Sequence, residues 1–67
     1  MLKKKILILC GGFSKERTIS LDTGRQVAKE LKKNNYRVKL CEPDNDLLKK
    51  IKLFKPNVIF NALHGQF

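Results

Sequence analysis

The segment Gly-Gly-Phe-Ser-Lys-Glu-Arg-Thr-Ile-Ser, residues 11–20, places a carboxylate, Glu16, a few positions past an apolar run over residues 6–10. Parallel α/β proteins hold ligands just beyond the carboxyl ends of their strands, so Glu16 is a candidate site residue. An anionic side chain there suits a cationic group, such as the ammonium of an amino acid. The plainer alternative is a surface ion pair with Arg17 or Arg25, worth about 0–1 kcal/mol. A second candidate, His64, follows the apolar stretch 57–61 in Ala62-Leu63-His64-Gly65. Its imidazole can orient the loop by donating to a backbone carbonyl, or serve as a hydrogen-bonding group near neutral pH.

Gly11 and Gly12 let the backbone turn sharply and approach a neighbour closely. They do not make a nucleotide site. A dinucleotide fingerprint needs G-x-G-x-x-G opening into a helix, whereas here the third glycine is missing and Lys15-Glu16-Arg17 fills the loop, so a pyrophosphate would lie beside a carboxylate. No G-K-[ST] of a Walker loop occurs either.

The elements that must position these residues follow from periodicity. Residues 5–10 form a continuous apolar run ended by glycines, as in a strand covered on both faces. From Ser20, read as an N-cap with Asp22 in the first turn, the pattern turns helical. Leu21, Gly24, Val27, Ala28 and Leu31 share one stripe and Lys29, Lys32 and Lys33 the other side, until Asn34-Asn35 stops the helix. Residues 36–41 alternate as a strand near a sheet edge. Pro43-Asp44-Asn45-Asp46 is turn chemistry, with Asp44 or Asp46 available to cap a short helix over 47–54, and Val58-Ile59-Phe60 makes a third strand. The predicted fold is α/β, β-α-β-α-β, with a three-stranded parallel sheet like half of a Rossmann fold. Parallel strands bring the loops after the first and third to one edge, so Glu16 and His64 can face one cleft.

Sixty-seven residues allow one domain, and a domain of that size buries only about 60% of the surface its unfolded chain exposes. With 42% hydrophobic and 31% charged residues, this is a globular composition rather than a disordered tail. The net charge of +9 raises a nucleic-acid reading. The lysines, however, fall at a strand start and on the outer faces of two helices, which is the pattern of solvated surface. Cys10 and Cys41 each end an apolar strand pattern without metal-ligand neighbours, as buried free thiols in a reducing compartment would. A disulfide stays open if their strands are adjacent. The amino-terminal lysines and short apolar run fall short of a signal peptide, and no window approaches the ~20 apolar residues of a membrane span. The expected location is cytoplasmic.

Two motifs, Gly11-Gly12-x-Ser14-x-Glu16-Arg17-x-Ile19-Ser20 with Gly24 after it, and Phe60-Asn61-Ala62-Leu63-His64-Gly65, together resemble the N-terminal domain of the D-alanine–D-alanine ligases. The family patterns are G-G-x-S-x-E-x-x-[VI]-S and [VF]-x-x-L-H-G-x-x-G-E-D-G, and the resemblance spans residues 1–67. It implies a pre-ATP-grasp, substrate-binding domain of an enzyme that joins two D-alanines for peptidoglycan synthesis with ATP and magnesium, through an acylphosphate. On this resemblance Glu16 is catalytic and substrate-binding, holding the ammonium of the first D-alanine, and His64 lines the same subsite. Gly11, Gly12, Ser14 and Ser20 support the loop.

Phe13 departs from the family, where that position is often polar or small. The second motif is cut at Phe67, so the expectation is a partial domain without the ATP-binding lobes, the magnesium carboxylates or the second-substrate residues. This segment is expected to bind no metal or nucleotide and to be inactive and poorly stable alone. Homodimers are common among such ligases; D-alanine is the expected partner, with neither nucleic acid nor membrane. The competing reading is a stand-alone basic α/β module for nucleotide or nucleic acid.

Overall fold

Strand and helix alternate in the computed structural model, which describes residues 4–13 and 15–63: β1 (Lys5–Leu9), α1 (Arg17–Lys33), β2 (Arg37–Cys41), α2 (Leu47–Phe54) and β3 (Val58–Asn61). β1 is central. It pairs in parallel with both other strands, in the order β2-β1-β3, with Ile6 opposite Val38 and Val58, and Ile8 opposite Leu40 and Phe60. The architecture is the α/β, β-α-β-α-β parallel sheet that the periodicity predicts. The first crossover goes to one side of β1 and the second passes to the other, so right-handed connections put α1 and α2 on opposite faces.

The core is built on the α1 face, where Ile6, Ile8 and Cys10 meet Ala28, with Leu21, Val27, Leu31 and Val38 packed around them. Leu7, with its side chain on the other face, is also fully buried. Gly24 lets the helix come close: a Cβ there would lie 2.8 Å from the Cys10 sulfur and 3.1 Å from Leu40 Cδ2. Cys41 stands opposite Leu9, one residue out of phase with Cys10, so the two side chains leave the sheet on opposite faces. Both thiols are free. Burial, and then the nearby Glu42 carboxylate, push the Cys10 thiol up, which keeps it protonated and inert.

Helix α1 begins earlier than the N-cap pattern suggests. Glu16 occupies the N-cap position, and the Ser20 amide already donates to the Glu16 carbonyl at 2.8 Å. Ser20 is therefore inside the helix, its hydroxyl free to bond elsewhere. The other end stops as expected: Asn35 adopts φ 68°, the Tyr36 amide reaches the Leu31 carbonyl and the Asn35 amide that of Lys32, a Schellman closure. That closure uses the Tyr36 amide, and β2 starts one residue later than the alternation suggests. Asp46 stands at the N-cap of α2 without a side-chain cap bond. The Asp44 carboxylate instead accepts from the Asp46 amide and from Lys50. Along β3, Val58, Ile59 and Phe60 remain 48%, 49% and 37% exposed.

Replacing Gly24 by Ala separates two effects. Helix propensity alone predicts a gain of about 1 kcal/mol, whereas crowding against Cys10 and Leu40 predicts a loss of about 1–3 kcal/mol. We expect the loss, read as a lower urea midpoint; a raised midpoint would show that the helix does not sit this close to the sheet.

Candidate functional site at the carboxyl edge of the sheet

A single buried hydroxyl joins the loops that leave β1 and β3. Ser20 Oγ accepts from the Gly11 amide at 2.8 Å and donates to the Ala62 carbonyl at 2.6 Å. Ser20 is wholly buried, as is Ala62, whose own amide donates to Leu9 O at 2.8 Å. This small α1 side chain therefore fixes where two separate loops begin. A parallel sheet whose order reverses at its central strand has its ligand crevice at that edge, here between β1 and β3.

The loop after β1 opens on two left-handed residues, Gly11 at φ 84° and Gly12 at φ 97°. At Gly11 the hydrogen in place of a side chain admits the Glu42 carboxylate, whose Cδ lies 2.8 Å from where a Cβ would be. Gly12 sits between loops, with Leu63 after β3 and Pro43 after β2 each 3.8 Å from its missing Cβ. Leu63 is held by its amide donating to Asn61 Oδ1 at 2.9 Å.

Glu42, directly after β2, was not singled out by the sequence. It accepts from Arg17 through both oxygens, Nε to Oε1 at 2.9 Å and Nη2 to Oε2 at 2.8 Å, and from the Gly12 amide at 3.3 Å. The Arg17 hydrogen bonds, with the Gly12 amide adding to them, hold the Glu42 carboxyl below the usual carboxylate range. A detectable signal existed. Glu42 follows a strand parallel to β1, so it had to emerge on the same rim as residues 11–16.

Glu16 is exposed at the start of α1, on the arc between Gly12 and Arg17. Of the two arginines considered as its partners, Arg17 is engaged by Glu42, and Arg25 by Asp22 at 3.2 Å. Ser14 and His64 lie outside the described residues; Leu63, just before His64, is on the same edge as Gly12. Phe13 is 90% exposed. On the β2 side of the rim is an open depression of about 390 Å³ lined by Gly12, Phe13, Arg17, Glu42, Pro43 and Asp44. Among the described residues no group of three or more His, Cys, Asp or Glu side chains could hold a metal, and no helix is long and apolar enough to cross a membrane.

No family model matches the chain. Comparison with individual proteins is informative. The chain is 71% identical over 66 residues, 98% of its length, to the D-alanine–D-alanine ligase of Pelagibacter ubique. It is 51% identical over 94% of its length to the ligase of the same name from Zymomonas mobilis, and 43% identical over all of it to that of a Chelativorans species. It spans only 20–22% of the length of these relatives. By sequence the chain belongs to the D-alanine–D-alanine ligase family, of which it represents about a fifth.

Two outcomes follow from the geometry. Ser20→Ala strands the buried Gly11 amide and Ala62 carbonyl and should cost about 1–3 kcal/mol in urea unfolding; a cost within about 0.5 kcal/mol, ordinary for a surface site, would show the node to be dispensable. Because the folded-state pKa of Glu42 is depressed, its contribution to stability is present above the ordinary carboxylate pKa and lost as pH falls through the lowered value. Thermal midpoints should therefore fall on acidification, with a shallower fall in Glu42→Gln; identical acid limbs would contradict the ion pair.

Proposed function

We propose that this segment of a D-alanine–D-alanine ligase supplies the pocket for the first D-alanine, with Glu16 holding the ammonium group and His64 lining the same subsite. The observation that carries the reading is the convergence of the loops after β1 and β3 on Ser20, which sets the start of the Glu16 loop beside the approach to His64. A carboxylate makes a charge-assisted hydrogen bond to an ammonium, stronger than a neutral one. Fixing the reactant's orientation lowers the entropic part of the barrier.

In this reading the complete enzyme joins two D-alanines for peptidoglycan synthesis. ATP and Mg²⁺, held by parts of the ligase beyond this segment, supply activation of the first carboxylate as an acylphosphate. By holding the ammonium, Glu16 fixes where the carboxylate of the same D-alanine lies, because both groups are bonded to one carbon. Gly11, Gly12, Ser14 and Ser20 set the loop's shape. The buried Ser20 node and the two left-handed glycines support that role, since neither glycine tolerates a side chain without strain. The segment by itself is inactive, and the exposed Val58-Ile59-Phe60 strand makes it poorly stable. The enzyme works in the cytoplasm, and its homodimerisation remains part of the same proposal. The basic-module alternative is less well supported, because the exposed lysines divide between α1 and α2 on opposite faces of the sheet.

The test is a chimera in which this chain replaces the 66 matched residues of the Pelagibacter ubique ligase. It should release phosphate and form dipeptide from D-alanine and ATP, and Glu16→Gln should raise its D-alanine requirement at the first site by about tenfold or more. A folded chimera with no ligation, or unchanged kinetics in the variant, would remove the assignment.

A further inference from the structure

We propose that Arg17 and Glu42 form a positioning clasp that holds the β1–α1 loop closed at both ends, so that Glu16 is presented in one place. The inference rests on the reading of Glu16 as the ammonium-binding carboxylate and adds a pair of residues that do not touch substrate.

The geometry is specific. Glu42 Oε1 accepts from the Gly12 amide, at the front of the loop, and from Arg17 Nε, at its back, while Oε2 takes Arg17 Nη2. One carboxylate thus ties Gly12 to Arg17, the residue that follows Glu16. The planar guanidinium fork matches the carboxylate through two parallel bonds, which fix direction as well as distance. Gly11 lies against the Glu42 side chain, so the carboxylate reaches the loop only because no Cβ is present there.

The Ser20 node explains less than this. It fixes the Gly11 amide and Ala62, and neither of its two bonds reaches Arg17. Glu42 is itself a poor cation site, since Arg17 already meets both of its oxygens. An exposed ion pair of this kind adds little to global stability. Its effect falls on the geometry of the loop, where a displacement of about 1 Å can cost on the order of 10²-fold in rate.

Kinetics of the chimera with Glu42→Gln, Arg17→Lys and the Arg17→Lys/Glu42→Gln double variant test the clasp, alongside Glu16→Gln. The expectation for Glu42→Gln is a D-alanine requirement at the first site about tenfold higher, with the ATP requirement nearly unchanged and the thermal midpoint at pH 7 lowered only by the small contribution of an exposed ion pair. Arg17→Lys, which keeps the charge and loses the fork, should show a smaller effect in the same direction. The double variant should be no worse than Glu42→Gln alone, because both changes break one interaction. A normal D-alanine requirement in Glu42→Gln beside a raised one in Glu16→Gln overturns the clasp and leaves the ammonium reading standing. A normal requirement in Glu16→Gln overturns that reading and the clasp's purpose with it. ATP and D-alanine requirements rising together would mark general damage and also count against it. Independently of turnover, amide NMR of the glycine-labelled chimera should show the Gly12 proton following the titration of Glu42 and ceasing to do so in Glu42→Gln; a Gly12 amide indifferent to that titration contradicts the clasp.

Discussion

The hydroxyl of Ser20 is the constraint on which the site depends. Two loops separated by about fifty residues leave the same sheet edge, and parallel pairing alone brings them only roughly together. A buried side chain that accepts from one and donates to the other sets their spacing to within a hydrogen bond. Because the donor and acceptor are backbone groups that would otherwise be buried unsatisfied, the arrangement is enforced by the cost of breaking it as much as by the bonds. Serine suits the position. Its hydroxyl can accept and donate at once, and its small side chain fits where the helix meets the sheet.

Glycine is used at two points for two different reasons. Gly11 and Gly12 hold left-handed backbone, and the first also leaves room for Glu42. Gly24 has no conformational requirement of this kind; its value is steric, since it brings α1 onto Cys10 and Leu40. The close packing of α1 then places Ser20, one turn earlier, at the depth where its hydroxyl meets both loops. Core packing and site geometry are in this way parts of one contact surface.

The alternation of elements, the parallel sheet, the α1 stripe and the asparagine stop were legible because each rests on local periodicity or on a residue with one strong backbone preference. Ser20 as a helix start was misread. A serine before an apolar stripe has the pattern of an N-cap, and nothing local reveals that its hydroxyl is taken by Gly11 and Ala62. The Arg17–Glu42 pair was missed for a related reason: it joins a helix start to the end of a strand, and only the sheet order makes them neighbours. Glu16 was prominent through its place after a glycine turn. What it binds could not come from spacing, because a surface ion pair has the same sequence signature. Membership of the ligase family supplies the chemical context, and the Ser20 node supplies the physical one.

The central claim is that this rim recognises a cationic amino group through Glu16. Calorimetric titration of the chimeric ligase with D-alanine and with N-acetyl-D-alanine, which has the same carboxylate and methyl group without the charge, isolates that interaction. The account predicts binding of D-alanine that is weakened by Glu16→Gln, and no binding of the acetylated compound to either protein. Equal affinity for the two compounds, or D-alanine binding indifferent to Glu16→Gln, would contradict it.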